Sequence, residues 1–194
     1  MGRRPCRTGA VPVGGRHFTS DLAAMLKTTT VAAERTKREL GCALHREGLD
    51  RHAVEVPTLG GDGNQVHTGS FVAEVLVERA RDLFIAVHGT LAAHGLDRAP
   101  RAGVVLTGGG ARLEGLEDEA EAIFGHRARI GIPRGLAGLT EPVAGPEWAV
   151  ACGLIRLHHR RQGQDVTSEQ HRSGLLTWLR HALGDFFELG GGHD

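Results

Sequence analysis

The chain has 194 residues, which is enough for one domain with a hydrophobic core or for two small lobes. Lysine plus arginine number 23, as do aspartate plus glutamate, and this zero net charge argues against a general nucleic-acid-binding protein. The 3 cysteines follow no disulfide or zinc-site spacing, which predicts a reducing compartment. No apolar stretch approaches the roughly 20 residues of a membrane-spanning helix. The adjacent His158 and His159 are interpreted as a solvated helix end rather than as metal ligands.

A glycine turn and a short helix are predicted near the N-terminus, after residues 1–10, which carry no periodic pattern and are expected to be disordered. Gly14 and Gly15 precede a helix predicted at residues 22–27, with Thr19 or the serine after it as the N-cap. A glycine turn that leads into a helix N-terminus is the geometry that a phosphate group prefers.

A second helix is predicted at residues 31–40, ended by Gly41. Glu34, Lys37 and Arg38 are three and four residues apart, so they share one face of this helix. The plain alternative for these charges is a surface ion pair between Glu34 and Arg38.

The middle of the chain predicts a hairpin and a long helix. Alternating valines predict a strand at residues 49–57, and residues 59–64, LGGDGN, are predicted to form a hairpin-like loop. Residues 72–94 carry the longest helical pattern of the chain. The apolar stripe of that helix consists of Val72, Val75, Leu76, Leu83, Val87 and Leu91.

A strand, a triple glycine and a helix follow one another in the segment VVLTGGGARLEGL, residues 104–116. The apolar run predicts a buried strand, and the glycines let the backbone turn and approach a ligand closely. We expect the left-handed backbone conformation at Gly109. Helical spacing continues to Ile123, with Gly125 just past the helix end. This corner suits an anion or a nucleotide, and its alternative is a plain turn in an α/β protein.

The last third predicts a strand at residues 128–132, a proline- and glycine-rich loop, and a helix from Pro146 to about residue 160. A polar linker at residues 161–173 leads to an amphipathic helix at residues 174–189. The apolar face of that helix includes Leu175, Trp178, Leu179, Leu183, Phe186 and Phe187. Such a face either lies in a membrane interface or docks on its own domain.

Four segments in order, GGRHFTSDL, AAERTKRELGCAL, AGVVLTGGGARLEGLEDEAEAIFG and PEWAVACGLI, resemble the FtsA family of bacterial cell-division proteins. The resemblance implies an α/β, actin-like (ribonuclease-H-like) fold over residues 11–160. Its base is expected at residues 11–21 and about 80–160, and its tip at about 22–79. A full member has a first lobe ahead of this region, so the chain is expected to be the second lobe only.

The resemblance also implies a site for ATP with Mg²⁺. Gly14, Gly15 and Thr19 match a phosphate loop, and Glu34 with Lys37 matches the helix that holds ribose and base. The triple glycine matches the adenosine loop, and the arginine after it lies where related chaperones cover the adenine face. These last residues are Gly108, Gly109, Gly110 and Arg112.

The expected role is a membrane tether for the ring protein FtsZ, on the inner face of the cell membrane at the division site. Arg79 and Asp82 match the partner surface, with a plain solvated helix face as the alternative. Self-association into actin-like polymers is also implied. Without the first lobe, ATP binding is expected to be weak and hydrolysis absent. Two other functions stay open from the residues: an actin-like pilus-assembly scaffold and a kinase-like lobe.

Overall fold

The computed structural model describes residues 7–61, 63–96, 103–134 and 144–161. The chain divides into two compact units, Met1–Gly131 and Ile132–Asp194. The predicted amphipathic helix at residues 174–189 and most of the predicted linker lie outside the described residues. The domain boundaries expected from the sequence therefore stay predictions.

The first unit opens with helices α1 (Gly15–Met25) and α2 (Thr30–Leu40). Gly14 is extended, and its N–H donates to Nδ1 of His17 at 3.1 Å, so this glycine caps α1. The predicted start at residue 22 was therefore wrong, and Thr19 lies inside α1 rather than at its N-cap. Helix α2 follows the prediction, because Thr29 caps it through a hydrogen bond from the Ala32 N–H.

A hairpin of strands β1 (Ala53–Pro57) and β2 (Asn64–Thr68) follows. The strands are antiparallel, with Ala53 opposite Thr68 and Pro57 opposite Asn64, which confirms the hairpin prediction. Strand β1 begins later than the predicted strand because Leu49–Arg51 form a 3₁₀ turn.

The long helix α3 (Gly69–Ala92) is the centre of the first unit. Its N-cap is Thr68, whose hydroxyl accepts from the Phe71 N–H. Helices α1 and α4 (Leu116–Phe124) contact α3, as does the hairpin. Burying these apolar side chains is the main favourable term in folding. The core consists of Phe18, Leu22, Leu26, Ala33, Ala43, Val54, Val56, Val72, Val75, Leu76, Val77, Ala80, Phe84, Leu116 and Ala120.

Strands β3 (Val104–Leu106) and β4 (Ala128–Ile130) form a two-stranded parallel sheet, with α4 on the connection between them. The strand before the triple glycine is confirmed, but the prediction that it is buried was wrong, because Val105 is 48% exposed. The helix after it begins later than expected, because Gly109–Arg112 form a 3₁₀ turn and α4 begins only at Leu116. Gly125 ends α4, as predicted, and it adopts the left-handed conformation.

In the second unit, a 3₁₀ turn at Pro146–Trp148 leads into α5 (Ala149–Arg161). The Arg156 guanidinium donates to the Arg134 carbonyl at 3.0 Å. Across the described parts of both units, no helix has the length and apolar character needed to cross a membrane.

Candidate functional site

The corner between α1 and α2 holds a polar cluster. Because α1 starts at Gly15, Thr19 is turned towards α2, and its side chain is buried. Lys37 Nζ donates to Glu34 Oε2 at 2.6 Å, to Thr19 Oγ1 at 2.8 Å and to the Gly15 carbonyl at 3.1 Å. The Thr19 hydroxyl donates to the same oxygen of Glu34. The fold thus brings together Gly15, Thr19, Glu34 and Lys37.

The electrostatics of this cluster favour the charged form of Glu34. Burial raises the pKa of the Glu34 carboxyl, but hydrogen bonds from Lys37 and Thr19 and the positive charges of Lys37 and Arg38 outweigh burial and lower it. A lowered folded-state pKa stabilises the fold above the unfolded value of about 4.5, and this contribution is lost as the pH falls through the folded value.

The exposed face of α2 lines an open groove of about 500 Å³, and the described residues that line it all belong to this helix. Glu34 belongs to the polar cluster and also lines this groove, so its side chain contacts both the protein and solvent. Arg35 is paired with Glu39 at 3.1 Å. The ion partner of Glu34 is Lys37, so the pairing with Arg38 that the sequence left open is not the one formed. The groove is lined by Val31, Glu34, Arg35, Arg38 and Glu39.

The triple glycine forms an open turn after β3. Gly108 has φ +89° and ψ 173°, a conformation that is open essentially to glycine alone. Gly109 and Gly110 lie in the 3₁₀ turn that ends at Arg112, so the expected left-handed residue is Gly108 and not Gly109. A Cβ added at Gly108 or Gly110 would meet no atom within 4 Å, which leaves room for a ligand.

Backbone pairing links the glycine turn to the end of α2. The Ala43 N–H donates to the Glu114 carbonyl at 2.7 Å, and Cys42 forms a parallel bridge with Glu114. Gly115 must be glycine here, because a Cβ on it would lie 2.6 Å from the Ala43 carbonyl oxygen and its φ is +81°. Gly115 carries no signal of its own in the sequence, because its role depends on a neighbour more than 60 positions away.

The expected partner residues Arg79 and Asp82 differ in their surroundings. Arg79 forms a two-pronged ion pair with Asp21 of α1 and is only 26% exposed. Its guanidinium therefore joins α3 to α1 instead of standing on a solvated face, and this pairing raises its pKa. Asp82 is 64% exposed, as expected for a surface residue, and its carboxylate lies 3.7 Å from Arg79.

The remaining expected residues are the membrane-binding set and Arg112. The residues expected to face the membrane, from Leu175 to Phe187, lie outside the described residues. Arg112 is exposed at the end of the 3₁₀ turn. Within the described ranges, no group of three or more His, Cys, Asp or Glu residues is arranged to hold a metal ion.

Comparison with known proteins gives one consistent family. A family model for "Cell division protein FtsA" matches residues 1–153. The FtsA of Pseudomonas aeruginosa is 32% identical over 189 residues, which cover 92% of this chain and 45% of that protein. The FtsA of Agrobacterium fabrum is 34% identical, and the match covers 96% of this chain and 42% of that protein. The FtsA of Escherichia coli K12 is 30% identical, and the match covers 89% of this chain and 43% of that protein. The chain thus spans less than half the length of these relatives.

The fold has solved counterparts. MreB5 of Spiroplasma citri bound to ADP superposes with a TM-score of 0.56 at 15% identity, covering 79% of this chain and 46% of that one. MreB5 bound to AMPPNP gives a TM-score of 0.54 over the same shares. At this identity the likeness concerns the fold, which is actin-like. Since the family model matches most of the residues and curated relatives align along nearly the whole sequence, this chain belongs to the FtsA family of cell division proteins.

Proposed function

We propose that this FtsA-family chain carries part of an adenine-nucleotide site, built from the α1–α2 corner and the glycine turn after β3. The observation that carries the proposal is the cluster of Thr19, Glu34 and Lys37, which places a charged carboxylate at the edge of an open groove. A carboxylate accepts hydrogen bonds from ribose hydroxyls, and free backbone N–H groups at a glycine turn suit phosphate or adenosine.

The remaining roles follow the family resemblance. Gly14 and Gly15 are assigned to phosphate, the triple glycine to adenosine, and Arg112 to the adenine face. The described residues fit a nucleotide, because Gly108 and Gly110 border open space and Glu34 faces the groove. Mg²⁺ would enter with the ATP phosphates, whose charge it neutralises. We assign the chain to the second lobe of the actin-like fold, with its tip at about residues 22–79.

We further propose that residues 1–194 alone bind ATP weakly and do not hydrolyse it. The residues assigned here serve ribose, base and phosphate, whereas hydrolysis also needs a positioned water and a metal on the transferred phosphate. Calorimetry with Mg-ATP tests this, with Glu34→Gln as the control for the site. We expect weak binding that the variant weakens further, and no release of phosphate. Low-micromolar affinity together with turnover would contradict the proposal.

In cell division, the proposed role is that of a peripheral tether between the inner membrane and FtsZ. The membrane foot is assigned to residues 174–189 and the partner surface to Asp82 and its neighbours on α3. Self-association into actin-like polymers is the third proposed activity. Between the functions that the residues alone left open, the FtsA family match favours division over pilus assembly or a kinase.

A further inference from the structure

Helix α5 has apolar side chains on two opposite faces, and only one of these faces is buried. Cys152, on the first face, is 6% exposed. Val150, Leu154 and Leu157 recur at helical spacing on the opposite side of the helix and form the α5 stripe. These three residues are 71%, 62% and 48% exposed. A continuous apolar stripe in contact with water marks an interaction surface.

Gly153 leaves a gap in this stripe. It lies between Val150 and Leu157 in one row along the helix surface, three residues from the first and four from the second. A Cβ added to Gly153 would meet no atom within 4 Å, so the space above this glycine is open. Helices pack by placing side chains of one helix into the gaps of the other. The stripe therefore offers both a projecting side chain, Leu154, and a gap that a leucine can enter.

The charges around the stripe have opposite signs at its two ends. Glu147 is exposed just before α5 begins, in the 3₁₀ turn Pro146–Trp148, whereas Arg160 is exposed near the end of the helix. A second α5 that runs antiparallel places its basic end against this acidic end, whereas a parallel copy places like charges together. The charges thus favour another copy of the same helix, in the antiparallel orientation.

We propose that the α5 stripe pairs with the α5 stripe of a second copy of this chain, antiparallel about a two-fold axis between Gly153 and Leu154. In this register, Val150 of one copy faces Leu157 of the other, and Leu154 enters the gap at Gly153. The acidic end of each helix then lies opposite the basic end of the other. Such a symmetric pair is closed at two copies. It therefore differs from the proposed actin-like polymers, and it does not depend on the nucleotide site.

The first test measures association by sedimentation equilibrium of residues 1–194. We expect a monomer–dimer equilibrium in the wild type. In Leu154→Asp the dissociation constant should rise by about tenfold or more, because a charge enters the centre of the apolar contact. The matched control is Ile155→Asp, which adds the same charge at a half-exposed residue about 100° around the helix and should pair like the wild type. A wild type that stays monomeric, or equal pairing of all three proteins, would overturn the inference.

Gly153→Leu tests the gap without adding a charge. Leucine is a better helix former than glycine and its side chain enters open space, so the variant should melt at the same or a higher temperature. It should nevertheless pair about tenfold more weakly, because the gap that receives Leu154 is filled. A stable variant that pairs weakly excludes unfolding as the cause. Undiminished pairing of folded Gly153→Leu would overturn the proposed register.

A charge-reversal cycle tests the antiparallel orientation. Glu147→Arg and Arg160→Glu should each weaken pairing by about tenfold, since each places like charges opposite one another at both ends of the pair. The double variant should restore wild-type pairing, because the facing ends again carry opposite signs. If these charges acted only on the helix dipole, the double variant would be the most impaired, since both reversals oppose the dipole. A double variant that pairs no better than the single variants would overturn the inference.

Two further outcomes would assign the stripe to another occupant. If the wild type is monomeric and Trp178→Asp makes it dimeric, residues 174–189 of the same chain cover the stripe and the inference is wrong. If species larger than dimers form equally in the wild type and in Leu154→Asp, the proposed polymers stand and the α5 pair is wrong. A dimer that is lost in Leu154→Asp and kept in Trp178→Asp supports the α5 pair.

Discussion

At the scale of single residues, the glycine turn shows how one backbone angle can decide a position. Gly108 and Gly110 both border open space, so neither is required by crowding. Only Gly108 has a positive φ, at +89°. The triple glycine predicts a turn. Which of the glycines has a positive φ depends on the following 3₁₀ turn, in which Ala111 is buried. That packing is not visible in the local sequence.

We therefore expect Gly108→Ala to lower the free energy of unfolding by about 1–3 kcal/mol, the typical cost of holding an L-residue in this region. The matched control is Gly110→Ala, which adds the same methyl group in open space at an ordinary φ. The control should be neutral or slightly stabilising, since it restricts the unfolded chain. Urea unfolding of both variants measures the difference. Equal midpoints would mean that the turn is not formed as described.

For the site residues, the sequence predicted which residues lie on one helix face better than it predicted which side chains contact one another. The helical spacing in residues 31–40 correctly places Glu34 and Lys37 on one face, because three residues make most of a helical turn. It does not show that Thr19, fifteen positions earlier, completes the cluster. That contact depends on α1 starting at Gly15, and the start depends on a glycine cap that lacks the usual side-chain signal.

At the scale of elements, α4 protects the outer edge of the two-stranded sheet. The Ala128 N–H donates to Glu121 Oε1 and the Ile130 N–H to Glu117 Oε1, each at 2.8 Å. Glu117 and Glu121 are four residues apart, about one helical turn, and Ala128 and Ile130 are two residues apart, so their N–H groups point to the same edge of β4. Backbone groups at a sheet edge otherwise invite pairing with another chain. Helix α4 thus satisfies the edge of β4 with its own carboxylates.

Removing both carboxylates with Glu117→Ala and Glu121→Ala should therefore expose the β4 edge. We expect a loss of about 1–3 kcal/mol, from two hydrogen bonds of about 0.5–1.5 kcal/mol each, and a greater tendency to aggregate. The double glutamine variant is the control, because an amide oxygen still accepts the backbone bonds. Thermal unfolding and light scattering measure the two effects. Aggregation of the glutamine variant to the same degree would point to lost charge rather than to an open edge.

The pair of α1 and α3 offers a second test at this scale, because Arg79 and Asp82 share a helix but differ in role. Arg79→Ala should destabilise the fold by about 1–2 kcal/mol, since it leaves Asp21 without its two-pronged partner. Asp82→Ala should change stability little, because its side chain is 64% exposed. If the partner surface lies here, Asp82→Ala instead weakens binding to FtsZ. Melting curves and a binding assay for both variants separate the roles. Equal melting temperatures would show that Arg79 does not join the helices.

Helices with strong periodicity were predicted more accurately than the connections between elements. Most of the apolar stripe of α3 and the alternation of Val54 and Val56 follow from burial on one face, which a sequence displays directly. Val87 and Leu91 of the predicted stripe are only half-buried and lie outside the core. The 3₁₀ turns at Leu49–Arg51 and Gly109–Arg112 shifted the predicted boundaries. Such turns are short and carry no periodic signal, so tertiary contacts decide where they form.

At the scale of the whole molecule, the order of motifs was more informative than any single motif. A glycine turn after a strand is common, and alone it would fit many α/β proteins. Four sequence segments that occur in the family's order indicated the family, and the match over residues 1–153 confirms it. At this scale the proposed function depends on the membrane and protein partners that the chain binds. The proposed membrane-binding helix is the part of that assembly that can be tested on this chain alone.

The last prediction concerns residues 174–189, whose sequence pattern places leucines and Trp178, Phe186 and Phe187 on one face. A large apolar side chain contributes roughly 1.5–3 kcal/mol when buried, so three such anchors suffice for reversible binding to an anionic membrane surface. Trp178→Asp should abolish co-sedimentation with anionic vesicles, because it places a charge among the acyl chains. Trp178→Phe is the matched control and should still bind.

Thermal melting of the same variants, and of a chain ending at Ser173, separates a membrane role from a structural one. A foot that contacts lipid leaves the melting temperature of the rest of the protein unchanged when it is removed. A helix that docks on its own domain buries Trp178 there, so both its removal and Trp178→Asp would lower the melting temperature by destabilising that contact. If residues 1–194 stay in the supernatant with vesicles, and melt at a lower temperature once residues 174–194 are removed, this helix is part of the core and the proposed tether is wrong.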